Sequence, residues 1–576
     1  MSDFPITFTR DFSVLSEAVD ASQPLFCDTE TQGLYGKIRI IQCYQSHWDG
    51  VIIIEYPKAH ELLTLLTSVQ TVWHNAHYDL SCVQNALDMA YPFTEFADTF
   101  LLYRLAHPAL ESYSFDDVCT HVLGYDPYIA AGFDKKVMQK SDWSKPVLDD
   151  GQKLYAALDV YHMPAIFEAC SGSLDDPSYI LDKSTVVTAL KFQHNGMPVD
   201  PSKLDKHWVA IEKELASIDM PVNANSVPQV RQYLHLEEGQ STAKLELSRM
   251  AYKHNNEKAE AVIKVRGLRK LLSFLKKYDV ERLKGYFKPS TRSGRLASDH
   301  ENLQQIPRKL KGIFGYAIDS DRVLVYSDYA QLELRTICAI LGVKVMERLF
   351  REGKDLHGYV AEILFGSDYT KADRQVTKTY NFNLLYGGSV NMVLGILLTY
   401  GTYISEVVAN RHKRKWLNLF SEIDAWQQKS ISAWRKGKLD STPLGRHYKG
   451  KLMTDQMNIK NQGAGAEVAK LALHYFYPWL EEFNKEHDTD VMLCDFIHDS
   501  YILDAPNDPE IYKPVATKLA ECMQEAWFEM SKLYKVRDLP MPVEVKVGWN
   551  WGDIEEGEGI IYEHNLEGME MYDSSL

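Results

Sequence analysis

The sequence has little of what marks secreted, membrane or metal-stapled proteins. Only eight cysteines occur in 576 residues, at positions 27, 43, 82, 119, 170, 338, 494 and 522, and no two form a C-x-x-C pair. That spacing excludes a disulfide framework and a thiolate zinc site, and reads as reduced, mostly buried thiols of a cytoplasmic protein. No stretch approaches the roughly 18 apolar residues that a membrane span needs. The N-terminal MSDFPITFTRDF has no basic region followed by an apolar run, so no signal peptide is expected. Internal repeats and low-complexity tracts are absent as well. Positive charge is in short supply: 63 Lys+Arg against 79 Asp+Glu leave a net −16. This excludes a histone-like basic coat but not a local basic groove. What remains is ordinary for a globular protein, with 45% hydrophobic and 25% charged residues. The length predicts three or four domains or subdomains of roughly 150 residues.

Residues 24–56 read as strands. PLFCD is a short apolar run, and KIRIIQCYQ and GVIIIEY flank SHWDG, whose Asp49-Gly50 suits a hairpin turn. TVWHN at 71–75 reads as another strand, and helical patterns fill most of 76–170. An antiparallel-leaning sheet followed by helices predicts an α/β domain of about 175 residues. The texture is helical from 180 to 285, with breaks at 195–198 and near Pro228. Within it, Lys264, Arg266, Arg269, Lys270, Lys276, Lys277, Arg282 and Lys284 make a strong basic feature, or else a solvated helix face. Beyond 286, strands (RVLVYSD, VMLCDFI, YILDA, VEVKVG) mix with long helices. The acid-rich tail after Asp553, with Glu555, Glu556, Glu558, Glu563, Glu567, Glu570 and Asp573, reads as a loosely held extension.

Asp28 and Glu30 alternate in FCDTE at the end of a strand, so both can face one hard cation. Surface strands produce D-x-E constantly, so the pair alone decides nothing. HNAHYD adds Asn75 and Asp79, and YAALD adds Tyr155 and Asp159, each spaced i, i+4 on one helical face. Together, Asp28, Glu30, Asp79 and Asp159 can hold two divalent ions about 4 Å apart, one activating water and one stabilising a leaving 3′ oxygen. Tyr155 can hold the attacking water.

Three motifs carry the C-terminal half. VLVYSDYAQLELR delivers Asp328 on a β-rich run and then turns helical through Gln331, Glu333 and Arg335. In DRQVTKTYNFNLLYGG, Arg374, Lys378, Phe382 and Tyr386 recur every four residues and form one slowly turning helical stripe. Two cations then two aromatics suit a triphosphate, then a sugar and base. An amphipathic core helix with snorkelling cations would give the same pattern. Gly387-Gly388 is a helix stop. CDFIHDSYILD predicts a hairpin with Asp499 at its turn, where a lone Asp is usually structural.

The four acids with Tyr155 resemble the DEDD-type 3′–5′ proofreading exonucleases, with Asp98 where that family often has an acid. The three later motifs resemble motifs A, B and C of the family A DNA polymerases, and the order of the whole series fits that family. TRSGRLAS (Arg295), ENLQQIP, KDLHGYVAEILFG (His357), TPLGRHY (Arg446), NIKNQGAGAE (Asn458, Gln462) and VGWNW extend the resemblance. It implies an α/β multidomain architecture. An RNase H-like exonuclease domain (1–175) would precede a right-hand polymerase: thumb (176–288), palm (289–340), fingers (341–437), then palm with the acidic tail (438–576). It implies two Mg2+ in each site, with Mn2+ able to substitute. Asp328, Asp499 and the backbone of Tyr329 would bind the polymerase metals, and Asp28, Glu30, Asp79 and Asp159 those of the exonuclease.

By the same resemblance, Arg374, Lys378 and His357 would hold the triphosphate, with Lys378 a proton donor to pyrophosphate. Glu333 would be the steric gate, supported by Tyr386, and Phe382 would stack near the sugar, with Gln331 also in the dNTP site. Arg295, Arg446, Asn458, Gln462, His498 and Lys270 would contact DNA, and the basic helices would track duplex phosphates as the thumb. Ser500 stands where the family usually has an acid. Asn383 replaces a common glycine, and Tyr380 adds bulk on the same helix. With its exonuclease motif at residue 28 there is no room for a preceding 5′-nuclease domain, which resembles a bacteriophage replicative polymerase acting in the host cytoplasm. Expected partners are primer–template DNA, dNTPs and phage helicase, primase or single-stranded-DNA-binding protein, for a monomer with no membrane contact. A modified base such as 2-aminoadenine is a further expectation. The alternative is an exonuclease whose inactive polymerase half serves as a DNA-binding module.

Overall fold

The computed structural model describes residues 4–89, 95–289 and 291–568. Its N-terminal part is built on a six-stranded sheet, in the order Ile6–Thr9, Val51–Glu55, Lys37–Tyr44, Leu25–Gln32, Thr71–Trp73, Phe96–Asp98. The hairpin expected around Asp49-Gly50 forms, and the chain from Lys37 to Tyr44 is antiparallel to both neighbours. The sheet as a whole is mixed and not antiparallel-leaning, because the three outer joins are parallel. The sequence reading missed the edge strand Ile6–Thr9, too short to show alternation. It fits because Gly50 has no side chain: a Cβ there would lie 2.0 Å from the Pro5 carbonyl oxygen.

A second, five-stranded antiparallel sheet runs Met492–Ile497, Ser500–Pro506, Arg322–Tyr329, Val543–Gly548, Ile560–Leu566. The acidic tail is therefore not loose as far as Leu566. Its helix Trp551–Glu556 is tied down by the Glu555–Lys311 ion pair at 2.5 Å, and its last strand forms the sheet edge. The expectation for Glu570 and Asp573 lies outside the described residues.

Helices Pro201–Ala216 and Glu257–Tyr278 form a stalk rising from the core around this second sheet. Residues 224–265 carry a separate small core at its far end. A helical layer runs from Lys344 to Arg435, within the stretch expected as fingers. The helix Pro177–Asn195 is shared. Tyr179, Val186, Val187 and Leu190 enter the N-terminal core, whereas Ala189 and Phe192 enter the core of the C-terminal half. A helix buried on both sides has no solvated stripe. Among the described residues no helix is long and apolar enough to cross a membrane.

The basic run is less available than its sequence implies. Arg266 donates to the carbonyls of Ala224 and Thr242, Lys264 pairs with Glu214, and Lys277 with Glu301. Arg282 lies beyond the helix, held by Asp504 and the carbonyls of Asn195 and Gly196. Lys270 and Lys276 stay exposed.

Candidate active sites

Strand alternation puts Asp28 and Glu30 on one face of Leu25–Gln32, and helix Asp150–Tyr161 lays Asp159 over them. Oxygens of Asp28, Glu30 and Asp159 lie within 4.8 Å of one another, the only such acidic trio among the described residues. Three hard, partly buried carboxylates in reach of one point fit a divalent cation. Burial, then the charges of Asp79, Asp159 and Glu30, hold the Asp28 carboxyl well above its ordinary range. Glu30 is raised by burial and by Asp159 and Asp79. Gln42 Nε2 donates to Asp28 at 2.5 Å from the paired strand.

Asp79 stands outside the trio. Its Oδ1 accepts from the Thr29 amide at 3.0 Å and hydroxyl at 2.7 Å, and burial pushes it up to about 7. Asn75 does not share its helical face, being the left-handed cap that precedes helix Ala76–Leu87. Asp98 accepts from the backbone amides of Asn75, Ala76, Phe100 and Leu101, a helix-capping role away from the trio.

Two groups at this site escaped the sequence reading. Tyr128, fully buried, donates its hydroxyl to Asp159. Lys135, paired with Asp116 at 3.0 Å, lowers the Asp159 carboxyl, which burial otherwise raises, leaving it at about 6. Burial and Asp159 push the Tyr155 phenol far up, so it stays a hydrogen-bond donor.

In the polymerase half, Asp328 ends the central strand, opposite Ser500 on one side and Glu544 on the other. Tyr329 completes that strand, its own ring buried with the hydroxyl on the Met523 carbonyl. Ile497 pairs with Ser500, leaving His498 and Asp499 as a two-residue turn with His498 at φ 62°. The expected hairpin is thus present. Burial and Asp499 hold Asp328 well above its ordinary range, opposed by the Ser500 hydroxyl, which donates to it at 2.9 Å. Burial and then Glu333 push Asp499 up to about 7. At Ser500, a neutral donor steadies Asp328.

Glu333 is clasped by Arg295 and by the Tyr386 hydroxyl. Asn461, missed between Asn458 and Gln462, donates to the Tyr386 hydroxyl and the Glu333 carbonyl. Gln331 caps helix Leu332–Leu341, which carries Glu333, with φ 58°, its Oε1 buried and without a partner. Arg374 on helix Lys371–Leu385 is held by Asp355 at 2.6 and 3.0 Å. Asp355 also caps helix Leu356–Phe365. His357 is buried, bonded to Asn381 at 2.8 Å, and burial lowers it to about 4. Phe382 packs 5.9 Å from its ring, and Lys378 is exposed. Gly387 at φ 70° stops the helix as expected.

Two expectations change. Arg446 is not placed to touch DNA: it is 5% exposed and pairs at 2.6 Å with Asp182, which also takes Lys470 at 2.5 Å. Tyr380 faces the fingers interior against His412, and the Asn383 amide donates to the Thr379 carbonyl of its own helix. Asn458 and Gln462 are half-buried on the long helix Met453–Glu486, and Lys270 lies on the stalk.

Residues 201–553 match the profile of DNA polymerase family A, and residues 5–172 that of a 3′–5′ exonuclease. The chain belongs to DNA polymerase family A. This family A polymerase carries its exonuclease domain N-terminally. It is 26% identical to DNA polymerase I of Aquifex aeolicus over 92% of this chain and 96% of the relative. It is 27% identical to the DNA polymerase of Bacillus phage SP01, over 48% of this chain and 33% of that one. The fold also matches the POL domain of Pol1 from M. smegmatis, solved in complex with DNA primer-template and dNTP. That match has a TM-score of 0.70 and 18% identity, and covers 94% of this chain and 98% of the other.

Proposed function

We propose that this family A chain extends a DNA primer on a DNA template with dNTPs and trims the 3′ end at a separate site. The observation that carries the reading is that Asp499, in the hairpin turn, stands beside Asp328, whose strand pairs with Ser500 of that hairpin, with the Arg295–Glu333–Tyr386 cluster acting on it. Asp328, Asp499 and the Tyr329 carbonyl would hold two magnesium ions, with manganese able to replace them. Asp28, Glu30, Asp159 and, from farther off, Asp79 would hold the exonuclease pair. Bound there, the cations make the primer hydroxyl or a water nucleophilic and neutralise the leaving oxygen. Lys378 would protonate pyrophosphate, and Arg374 would exchange Asp355 for the triphosphate. Glu333 would sit under the sugar with Phe382 beside it, and Tyr155 would orient water at the exonuclease site. Lys270, Arg295, Asn458, Gln462 and His498 would meet DNA.

The reading extends to a phage replicative enzyme, supported by the phage SP01 relative, working as a monomer with helicase, primase or single-stranded-DNA-binding protein. A preference for a modified base such as 2-aminoadenine is motivated by the phage-like architecture and by the altered nucleotide-binding helix, where Tyr380 is buried and Asn383 half-buried. Equal incorporation of dATP and 2-amino-dATP opposite thymine removes it.

The deciding experiment extends a labelled primer with magnesium, with and without dNTPs, for the parent, Asp328→Ala and Asp28→Ala. Growth lost only in Asp328→Ala and shortening lost only in Asp28→Ala is the expected result. Shortening without growth in the parent would leave only the exonuclease reading.

A further inference from the structure

The stalk of the thumb ends in a tip with its own small core, and that tip reaches the fingers. Helix Glu257–Tyr278 has 22 residues, about 33 Å at 1.5 Å each. Its Leu268, Leu275 and Tyr278 belong to the polymerase core, while Ala259, Val262 and Val265 belong to the tip core. On the tip, helix Lys244–Ser248 runs into a π-helical turn, Arg249–Lys253. Such turns are rare and frequently mark functional positions.

Two side chains of this segment seat on glycines of the fingers. A Cβ placed on Gly395 would lie 3.6 Å from Leu245 Cδ1 and 3.8 Å from Cδ2, ordinary van der Waals distance. A Cβ on Gly401, at φ 81°, would meet the Tyr252 ring at 3.6 to 4.0 Å. Gly395 sits inside the apolar helix Val390–Thr399, where glycine weakens the helix. Leu245 packs directly over this glycine.

We propose that Leu245 and Tyr252 form a latch with Gly395 and Gly401 that closes the cleft into a ring around duplex DNA. Palm, fingers and the base of the stalk share one core, and the tip at the stalk's far end meets the fingers, so the four parts are joined in a circuit. The latch joins two apolar side chains to two bare backbone seats, so it is small enough to open for loading. Enclosure then holds the enzyme on DNA without any contact specific to sequence. This rests on the polymerase reading above.

The test uses the double variant Leu245→Cys, Gly395→Cys. All eight native cysteines are buried, so a short bismaleimide should join only the new pair. Enzyme loaded on primed circular DNA is crosslinked and washed in high salt. Retention on the circle, with release when the circle is cut, is expected. A crosslinked enzyme that washes off the intact circle overturns the inference, and so does failure to crosslink. Primer extension by the uncrosslinked variant separates this from failure of the polymerase reading, which would abolish growth altogether. As a second readout, Leu245→Glu should shorten the product made per binding event severalfold in the presence of trap DNA. Its single-nucleotide rate should stay that of the parent, and unchanged product length would count against the latch.

Discussion

The two carboxylate sites of this chain are built on opposite plans. At the exonuclease site three acids already converge within 4.8 Å, braced by Gln42, Tyr128 and Lys135 from surrounding elements. At the proposed polymerase site one acid ends up in a hairpin turn beside another on the adjoining strand, and the neighbouring groups are occupied with one another: Glu333 with Arg295 and Tyr386, Arg374 with Asp355. Trimming needs a site that is ready whenever a frayed end arrives. Copying gains selectivity when the site is completed only as the matched nucleotide displaces such internal partners.

The sharpest way to break this comparison is to remove one acid from each site. Asp328→Ala should slow extension by at least about a thousandfold and leave shortening intact, with Asp28→Ala the mirror image. Gel assays with and without dNTPs read both, and loss of both activities in either variant would refute independent sites. Ser500→Ala removes one hydrogen bond of about 1 kcal/mol. It should lower kcat for extension about fivefold at constant KM, by single-turnover kinetics, without touching shortening.

Asp355→Asn keeps a competent helix cap but releases Arg374. Steady-state kinetics should show KM for dNTP falling about two- to threefold if the pair competes with triphosphate. The smallest effect is on stability. Asp79, Asp499, Glu467 and Asp495 are pushed by burial to about 7, above their ordinary values. The folded protein therefore takes up protons as pH falls from 8 through 7, and stability rises across that window and is lost again as pH returns to 8. Calorimetry in EDTA should show a gain of about 1–3 kcal/mol between pH 8 and 6.5. Below about 6.5 the buried His357 and His74, lowered to about 4 and 3, work the other way. Magnesium should shrink the rise but not erase it, since Glu467 and Asp495 belong to neither cluster.

What the sequence disclosed was local. Asp28 and Glu30 are set by strand alternation, Asp499 by a two-residue turn, and the Arg374–Tyr386 stripe by helical repeat, all within one element. What it hid depends on distant partners. Arg446 reads as a DNA contact until Asp182, 264 residues away in sequence, is seen to claim it. Tyr128 carries no motif and reaches Asp159 only through the fold. The glutamates near the end look like a solvated tail because an edge strand exposes alternate residues, yet the strand's backbone is paired along one side but for a single register shift near Ile561.

Asp182 lies on the helix Pro177–Asn195 that both cores share, and its two cations come from the polymerase half. Exchange of proofreading modules between relatives by recombination would therefore not succeed at the apparent seam near residue 175. A graft joined there keeps Asp182 with Arg446 and Lys470, but it sets a foreign nuclease core against Tyr179, Val186, Val187 and Leu190 of this helix. Misfitted packing costs about 1–3 kcal/mol; a joint after the helix would instead strand both buried cations, at several kcal/mol. The heritable unit is the nuclease together with its helix and the socket that receives it.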